Sequence, residues 1–91
     1  MLLEFYGTEC SHCIAMKPLV DRLEREERAK VERFEVWHNM ENAKKMDEYD
    51  KDSSGNTACG GVPFFFNTTT RKFLCGETSY DELKVWAKGE N

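Results

Sequence analysis

Hydrophobic and polar positions in the first third of the chain predict a strand, a helix and a second strand. Leu2–Tyr6 is a short apolar run ended by Gly7, a pattern typical of a buried strand. Val31–Trp37 is a second short run of this kind. Ser11–Arg28, which contains Pro18, lies between them and has the i, i+3, i+4, i+7 spacing of an amphipathic helix at Met16, Leu19, Val20 and Leu23. This order predicts parallel pairing of the two strands across a helical crossover.

The rest of the chain predicts a helix, a loop, a hairpin and a last helix. Glu41–Asp50 is a weaker amphipathic segment, and the polar Lys51–Gly61 that follows is typical of a loop. Phe64–Phe66 and Lys72–Cys75 flank a polar turn, which predicts an antiparallel hairpin. Ser79-x-x-Glu82 is a capping box ahead of the final helix. The predicted class is α/β, with a mixed four-stranded sheet flanked by three helices.

Composition limits the chain to one domain and disfavours two kinds of partner. The 91 residues, 40% of them hydrophobic, suit a single domain over 1–91. The net charge is -4 and the basic residues are scattered, which disfavours a nucleic-acid surface. No apolar run approaches the ~18 residues of a membrane span, and no basic leader follows Met1. We therefore expect a soluble, cytoplasmic protein without a membrane partner.

Two of the four cysteines, Cys10 and Cys13, lie where the first strand gives way to the first helix. A Cys-x-x-Cys pair without a secretory leader is more often redox-active or metal-binding than part of a disulfide framework. Cys10 is expected to face the free N–H groups and the positive end of the helix, which favour a thiolate. Cys13, one turn further in, could then resolve a mixed disulfide. A protonated His12 between them would favour the thiolate further and make the pair more oxidising.

Several motifs together resemble the thioredoxin family, which includes glutaredoxin and protein disulfide isomerase domains. They are Leu3–Tyr6, Cys10-Ser11-His12-Cys13, Pro18 five residues later, and Gly61-Val62-Pro63 before an apolar strand. The resemblance extends from Leu2 to about Lys88. It implies a thioredoxin-like fold without the extra N-terminal strand and helix of full-length thioredoxin. It also implies a protein-disulfide oxidoreductase with a redox-active Cys10–Cys13 disulfide, no bound cofactor and a role in electron transport and cell redox homeostasis.

The resemblance also implies roles for residues outside the Cys-x-x-Cys motif. Pro63 would be a cis-proline beside the disulfide, and Gly61, Val62 and Gly76 would join it in binding an extended substrate. Glu4, six residues before Cys10, is similar to the family's buried acid, whose raised pKa lets it take the proton of Cys13. Glu4 on a solvent-facing side of the strand is the alternative interpretation.

The expected partners are protein disulfides as substrates and either a thioredoxin reductase-like flavoprotein or glutathione as electron donor, acting on a monomer. Two departures from the family concern the site. Glu9 replaces the usual aromatic residue before Cys10, so its charge would oppose the thiolate, and Phe64 replaces a small polar residue after the proline. We expect a reduction potential above the ~-270 mV of thioredoxin, toward about -200 mV.

Cys59 and Cys75 leave two interpretations open. They are either small buried or semi-buried thiols, or regulatory cysteines that become oxidised, glutathionylated or paired with each other. Three alternatives to the main function also remain. One is a zinc or iron module that uses Cys10, Cys13, Cys59 and Cys75, with metal otherwise not expected. The others are a glutaredoxin-like, glutathione-dependent enzyme and a redox-inert interaction domain. His38 is assigned no function.

Overall fold

The computed structural model describes residues 1–89 and has the predicted order of strands and helices. The elements are β1 (Leu2–Tyr6), α1 (Ser11–Glu27), β2 (Val31–Glu35), α2 (Met40–Tyr49), β3 (Phe64–Asn67), β4 (Phe73–Cys75) and α3 (Tyr80–Lys88). The main correction is that β2 ends at Glu35 and not at Trp37. The reason is local, because the Glu35 carboxylate accepts hydrogen bonds from the backbone N–H groups of Trp37 and His38 and folds the chain there.

The four strands form one mixed sheet in the order β2-β1-β3-β4. β1 pairs with β2 in parallel and β3 pairs with β4 in an antiparallel hairpin, so these two predicted pairings are confirmed. The structure adds an antiparallel pairing of β1 with β3, which the sequence did not predict. β1 and β3 are the inner strands and carry the most deeply buried side chains. The α/β class with a four-stranded mixed sheet and three helices is therefore confirmed.

Two hydrophobic clusters cover the two faces of the sheet. On one face Phe65 packs with α1 and α3, whose buried side chains are Met16, Val20, Leu23, Leu83 and Trp86. On the other face Leu3, Phe5 and two phenylalanines of β3 pack with Met46 of α2. The alternation of side chains along β1 therefore sends Leu3 and Phe5 toward α2, and Glu4 toward α1.

The ends of α1 and α3 follow local capping rules. α1 passes through Pro18 and ends at Glu27, and its C-cap residue Arg28 adopts the left-handed conformation with φ of 53°. At the start of α3 the Ser79 hydroxyl accepts the Glu82 backbone N–H at 3.2 Å, as the capping box predicts. Within residues 1–89 no helix is both long and apolar enough to cross a membrane. The fold thus fixes the start of α1 at the end of β1, where both motif cysteines lie.

Candidate functional site

Cys10 is the N-cap residue of helix α1 and forms a disulfide with Cys13. Its backbone is extended, and its Sγ accepts a hydrogen bond from the Cys13 backbone N–H at 3.2 Å. The two Cα atoms are 5.2 Å apart. A thiolate on Cys10 would keep this donor and would lie at the positive end of the helix dipole. The geometry therefore favours ionisation of Cys10.

Both motif cysteines are largely covered in this disulfide state. Cys10 is 6% exposed and Cys13 is 4% exposed. The N-cap position folds the Cys10 sulfur back onto the helix, and the Val62 carbonyl oxygen lies 3.9 Å from it on the other side. An incoming sulfur must therefore reach Cys10 past the Val62 segment.

The segment ahead of β3 places three of the predicted substrate-binding residues together. The Val62–Pro63 peptide bond is cis, and the Pro63 carbonyl accepts the Gly76 backbone N–H at 2.8 Å. The Val62 carbonyl faces Cys10. Gly61, one residue earlier, is exposed, and a Cβ built on it would meet no atom within 4 Å. Substrate binding by these four residues stays a prediction.

Glu4 is buried, so the solvent-facing interpretation of this residue is wrong. It is 3% exposed, and its register partner Phe65 belongs to the cluster beneath α1 and α3. Burial raises the pKa of Glu4 from 4.5 to about 7, while the positive charge of Arg33 partly opposes this rise. Glu4 can therefore exchange a proton near neutral pH.

Glu4 and Cys13 line the same open pocket of about 440 Å³ between β1, β2 and α1. Lys17 and Arg33 also contribute to its wall. The acid thus lies in the pocket that Cys13 also lines, where water can carry a proton between them. Proton transfer by Glu4 itself stays a prediction.

Arg33 is a residue of the site that the sequence did not single out. Its Nη2 atom lies 2.7 Å from Asp21 and 2.9 Å from Glu24, and its Nε atom lies 3.9 Å from the Glu4 carboxylate. Arg33 is also the register partner of Glu4 across β1 and β2. The two residues are 29 positions apart in sequence, so their contact can be predicted only when the parallel register of β1 and β2 is known. Arg33 keeps the pKa of Glu4 lower than burial alone would make it.

His12 has a partner that the sequence did not reveal. Its side chain is 70% exposed, and its Nδ1 atom lies 2.8 Å from Oε1 of Glu77 in the segment after β4. His12 therefore connects the Cys-x-x-Cys motif to the segment after the hairpin. Its predicted effect on the Cys10 thiolate stays a prediction.

His38, to which the sequence assigned no function, pairs with Glu9 beside the motif. Its Nε2 atom lies 2.7 Å from the Glu9 carboxylate, and this contact raises the pKa of His38 above its usual 6.5. The charge that Glu9 brings next to Cys10 is thus offset when His38 is protonated. The two residues are far apart in sequence, so no local pattern could have shown the pair.

Cys59 and Cys75 form a second disulfide, with Cα atoms 5.5 Å apart. The interpretation of two buried free thiols is therefore wrong, and Cys75 is in addition exposed. In the described part of the chain, the three potential metal-ligating side chains whose ligand atoms lie within 4.8 Å of one another are Glu9, Glu35 and His38, and not the cysteines. The Glu35 carboxylate already accepts three backbone N–H groups. The geometry gives the four-cysteine metal module no support.

The comparisons with known proteins add no family assignment. No protein-family model matches the chain, and a search of curated proteins found no match either. What the site offers is a helix-capping disulfide, a carboxyl group that titrates near neutral pH in the pocket of Cys13, and a backbone segment facing Cys10. These features together suit thiol-disulfide exchange.

Proposed function

We propose that this protein is a thioredoxin-like thiol-disulfide oxidoreductase that reduces or exchanges protein disulfides through Cys10 and Cys13. The observation that carries the proposal is the Cys10 sulfur, which caps helix α1, accepts the Cys13 N–H and is bonded to Cys13. A thiol held this way is more acidic than an ordinary cysteine thiol, and Cys13 is already close enough to form a disulfide with it. The sheet order, with α1 and α3 on one face and α2 on the other, supports a thioredoxin-like fold.

The reaction begins in the reduced protein, where the Cys10 thiolate attacks one sulfur of a target disulfide. The target disulfide breaks, a mixed disulfide forms on Cys10, and the departing target thiolate takes a proton from solvent. The ionised Glu4 carboxylate then accepts the proton of the Cys13 thiol through the shared pocket. The Cys13 thiolate attacks Cys10 Sγ, which releases the second target thiolate and leaves the Cys10–Cys13 disulfide. A reductase-like flavoprotein or glutathione returns two electrons to regenerate the dithiol.

Substrate is held by backbone more than by side chains in this proposal. Val62 presents its carbonyl next to Cys10, and the Pro63 carbonyl is already paired with Gly76. An extended target segment can pair with the backbone of Val62 while its cysteine meets Cys10. Gly61 and Gly76 place no Cβ in the path of such a segment.

A trapping experiment tests the proposal. Both variants carry Cys59→Ser and Cys75→Ser, so that the second disulfide cannot contribute. With Cys13→Ser added, a disulfide-containing substrate such as insulin is expected to remain covalently attached to Cys10, and with Cys10→Ser added no adduct is expected. The background protein should reduce insulin with dithiothreitol as electron donor. Equal trapping by both variants, or no turnover by the background protein, would contradict the proposal.

A further inference from the structure

The second disulfide joins an exposed sulfur to a partly buried one. Cys75 ends β4 and is exposed, whereas Cys59 packs against the cluster that covers the α2 face of the sheet. Cys75 is the register partner of Phe64, the residue directly after Pro63. The disulfide therefore lies next to the proline segment, and of its two ends Cys75 is the one open to a reagent from solvent.

Both ends of this disulfide lead directly to the redox motif. From Cys75 the chain continues to Gly76, which donates its N–H to the Pro63 carbonyl, and to Glu77, which contacts His12. From Cys59 the loop runs on to Val62, whose carbonyl oxygen lies 3.9 Å from Cys10 Sγ. The disulfide thus fastens together the two segments that contact the Cys-x-x-Cys motif.

The two cysteines are also held in place by contacts other than their mutual bond. The buried carboxylate of Asp50 accepts the backbone N–H groups of Cys59 at 2.6 Å and Gly60 at 2.9 Å. Cys75 is held by the β3–β4 ladder. Both sulfurs should therefore stay close together after reduction, which is what a reversible disulfide requires and a purely structural crosslink does not.

We propose that Cys59–Cys75 is a second thiol-exchange site, which reacts with small thiols such as glutathione at Cys75 and shifts the redox equilibrium of Cys10–Cys13. The thiolate of the small thiol attacks Cys75 Sγ, the Cys59–Cys75 bond breaks, and Cys59 leaves as a thiolate that takes up a proton. A second small thiol attacks the mixed disulfide at the small-molecule sulfur. Its products are the oxidised small disulfide and a free Cys75 thiol, so two thiols supply the two electrons.

The direction of the coupling follows from the contacts. The intact disulfide holds the negative end of the Val62 carbonyl near Cys10, and this arrangement opposes a thiolate on Cys10. Reduction of Cys59–Cys75 removes the covalent link between β4 and the loop that leads to Val62. The Val62 carbonyl can then move away from Cys10 while Asp50 still holds Cys59, so the Cys10–Cys13 disulfide becomes easier to reduce. By linkage, reduction of Cys10–Cys13 makes Cys59–Cys75 easier to reduce by the same factor. This half of the proposal rests on the proposed function of the first pair.

The exchange reaction is tested on a Cys10→Ser/Cys13→Ser variant, which keeps only the second disulfide. The variant is equilibrated in glutathione buffers of graded composition, quenched by alkylation and mapped by mass spectrometry. The expected result is a titration within the range of the buffers, with the glutathione adduct on Cys75. A disulfide that stays oxidised in the most reducing buffer, or an adduct found on Cys59, overturns the proposal.

The coupling is tested on the wild-type protein, where the same mapping counts molecules with neither, either or both disulfides reduced. Reduction of the second disulfide is expected to raise the equilibrium constant for reducing the first about fivefold, at the lower end of common coupling strengths. A Cys59→Ser/Cys75→Ser variant should show the same rise. Statistically independent reduction of the two disulfides overturns the coupling. A first pair that never equilibrates with glutathione also overturns the coupling, whereas the proposed function is decided by the trapping experiment and exchange at Cys75 by the double variant alone.

Discussion

Replacing Glu4 by Gln removes the titrating group from the pocket and should change how stability depends on pH. Burial raises the pKa of Glu4 from 4.5 to about 7, so between these pH values the folded protein binds a proton that the unfolded chain has lost. Its stability must therefore fall as pH rises through this window. At about 1.36 kcal/mol per pKa unit, the whole rise from 4.5 to about 7 corresponds to about 3 kcal/mol, of which roughly 2 kcal/mol is lost between pH 5 and pH 8.

The measurement is urea unfolding of the oxidised protein at pH 5 and pH 8. Because glutamine carries no charge at either pH, Glu4→Gln should be similar to wild type at pH 5 and more stable by about 2 kcal/mol at pH 8. Glu32→Gln, on the neighbouring strand β2, is the matched control and should show no such gain. A pH dependence that is the same in wild type and Glu4→Gln would refute the assignment of a raised pKa to this residue.

The same substitution should slow the resolving step. A mixed disulfide between Cys10 and thionitrobenzoate is prepared, and the release of the chromophore by Cys13 is followed in a stopped-flow instrument. General bases commonly contribute about 10²–10⁴-fold, and water in the open pocket replaces part of this, so we expect Glu4→Gln to be on the order of tenfold slower at pH 8. Wild type should accelerate as pH rises through about 7, and Glu4→Gln should lose that step. Equal rates would show that Glu4 moves no proton.

Three further predictions concern the surroundings of the site. Gly7→Ala should lower the melting temperature, because the added Cβ would overlap the Trp37 ring. Gly61→Ala, whose added Cβ would meet no atom within 4 Å, should leave the melting temperature unchanged, and a larger loss for Gly61→Ala than for Gly7→Ala would contradict the packing. Removing the Cys59–Cys75 crosslink in Cys59→Ser/Cys75→Ser should cost about 3 kcal/mol of unfolding free energy, the value for a loop of roughly this length, and no loss would show that the crosslink is absent in solution. Glu9 raises the pKa of His38, so a protonated His38 offsets the Glu9 charge beside Cys10 at pH 6. His38→Gln should therefore slow alkylation of reduced Cys10 at pH 6 but not at pH 9, where the wild-type imidazole has lost its proton. An equal effect at both pH values would contradict this offset.

Local patterns were sufficient to predict the order of the elements and the proximity of Cys10 and Cys13. The helical spacing of Met16, Val20 and Leu23 and the capping box at Ser79 are set by neighbours in sequence, and the structure confirms both. Cys10 and Cys13 are close because they lie three positions apart in the first turn of a helix. Features of this kind depend on chain geometry alone, so a sequence is enough to find them.

Features that depend on strand register or on long loops were not predictable in the same way. The Glu4–Arg33 contact requires the parallel pairing of β1 and β2 to be known residue by residue. Glu9 and His38 meet because Glu35 folds the chain back after β2. Whether Cys59 and Cys75 are free or paired depends on where the long polar loop after α2 meets the sheet. The Asp50 carboxylate that fixes this part of the loop could not be identified from the sequence pattern.

The most direct test is the pKa of the Cys10 thiol in the reduced protein. The rate of carboxamidomethylation of Cys10 is measured from pH 4 to pH 10 in the Cys59→Ser/Cys75→Ser background, with the modified residue identified by mass spectrometry. Because Cys10 caps helix α1 and accepts the Cys13 N–H, its pKa should lie below the ~8.5 of a free cysteine, in the range of about 3.5–7.5 found at helix N-termini, and Cys13 should react far more slowly. A Cys10 pKa of about 8.5 or higher, or faster labelling of Cys13, would contradict the proposed nucleophile.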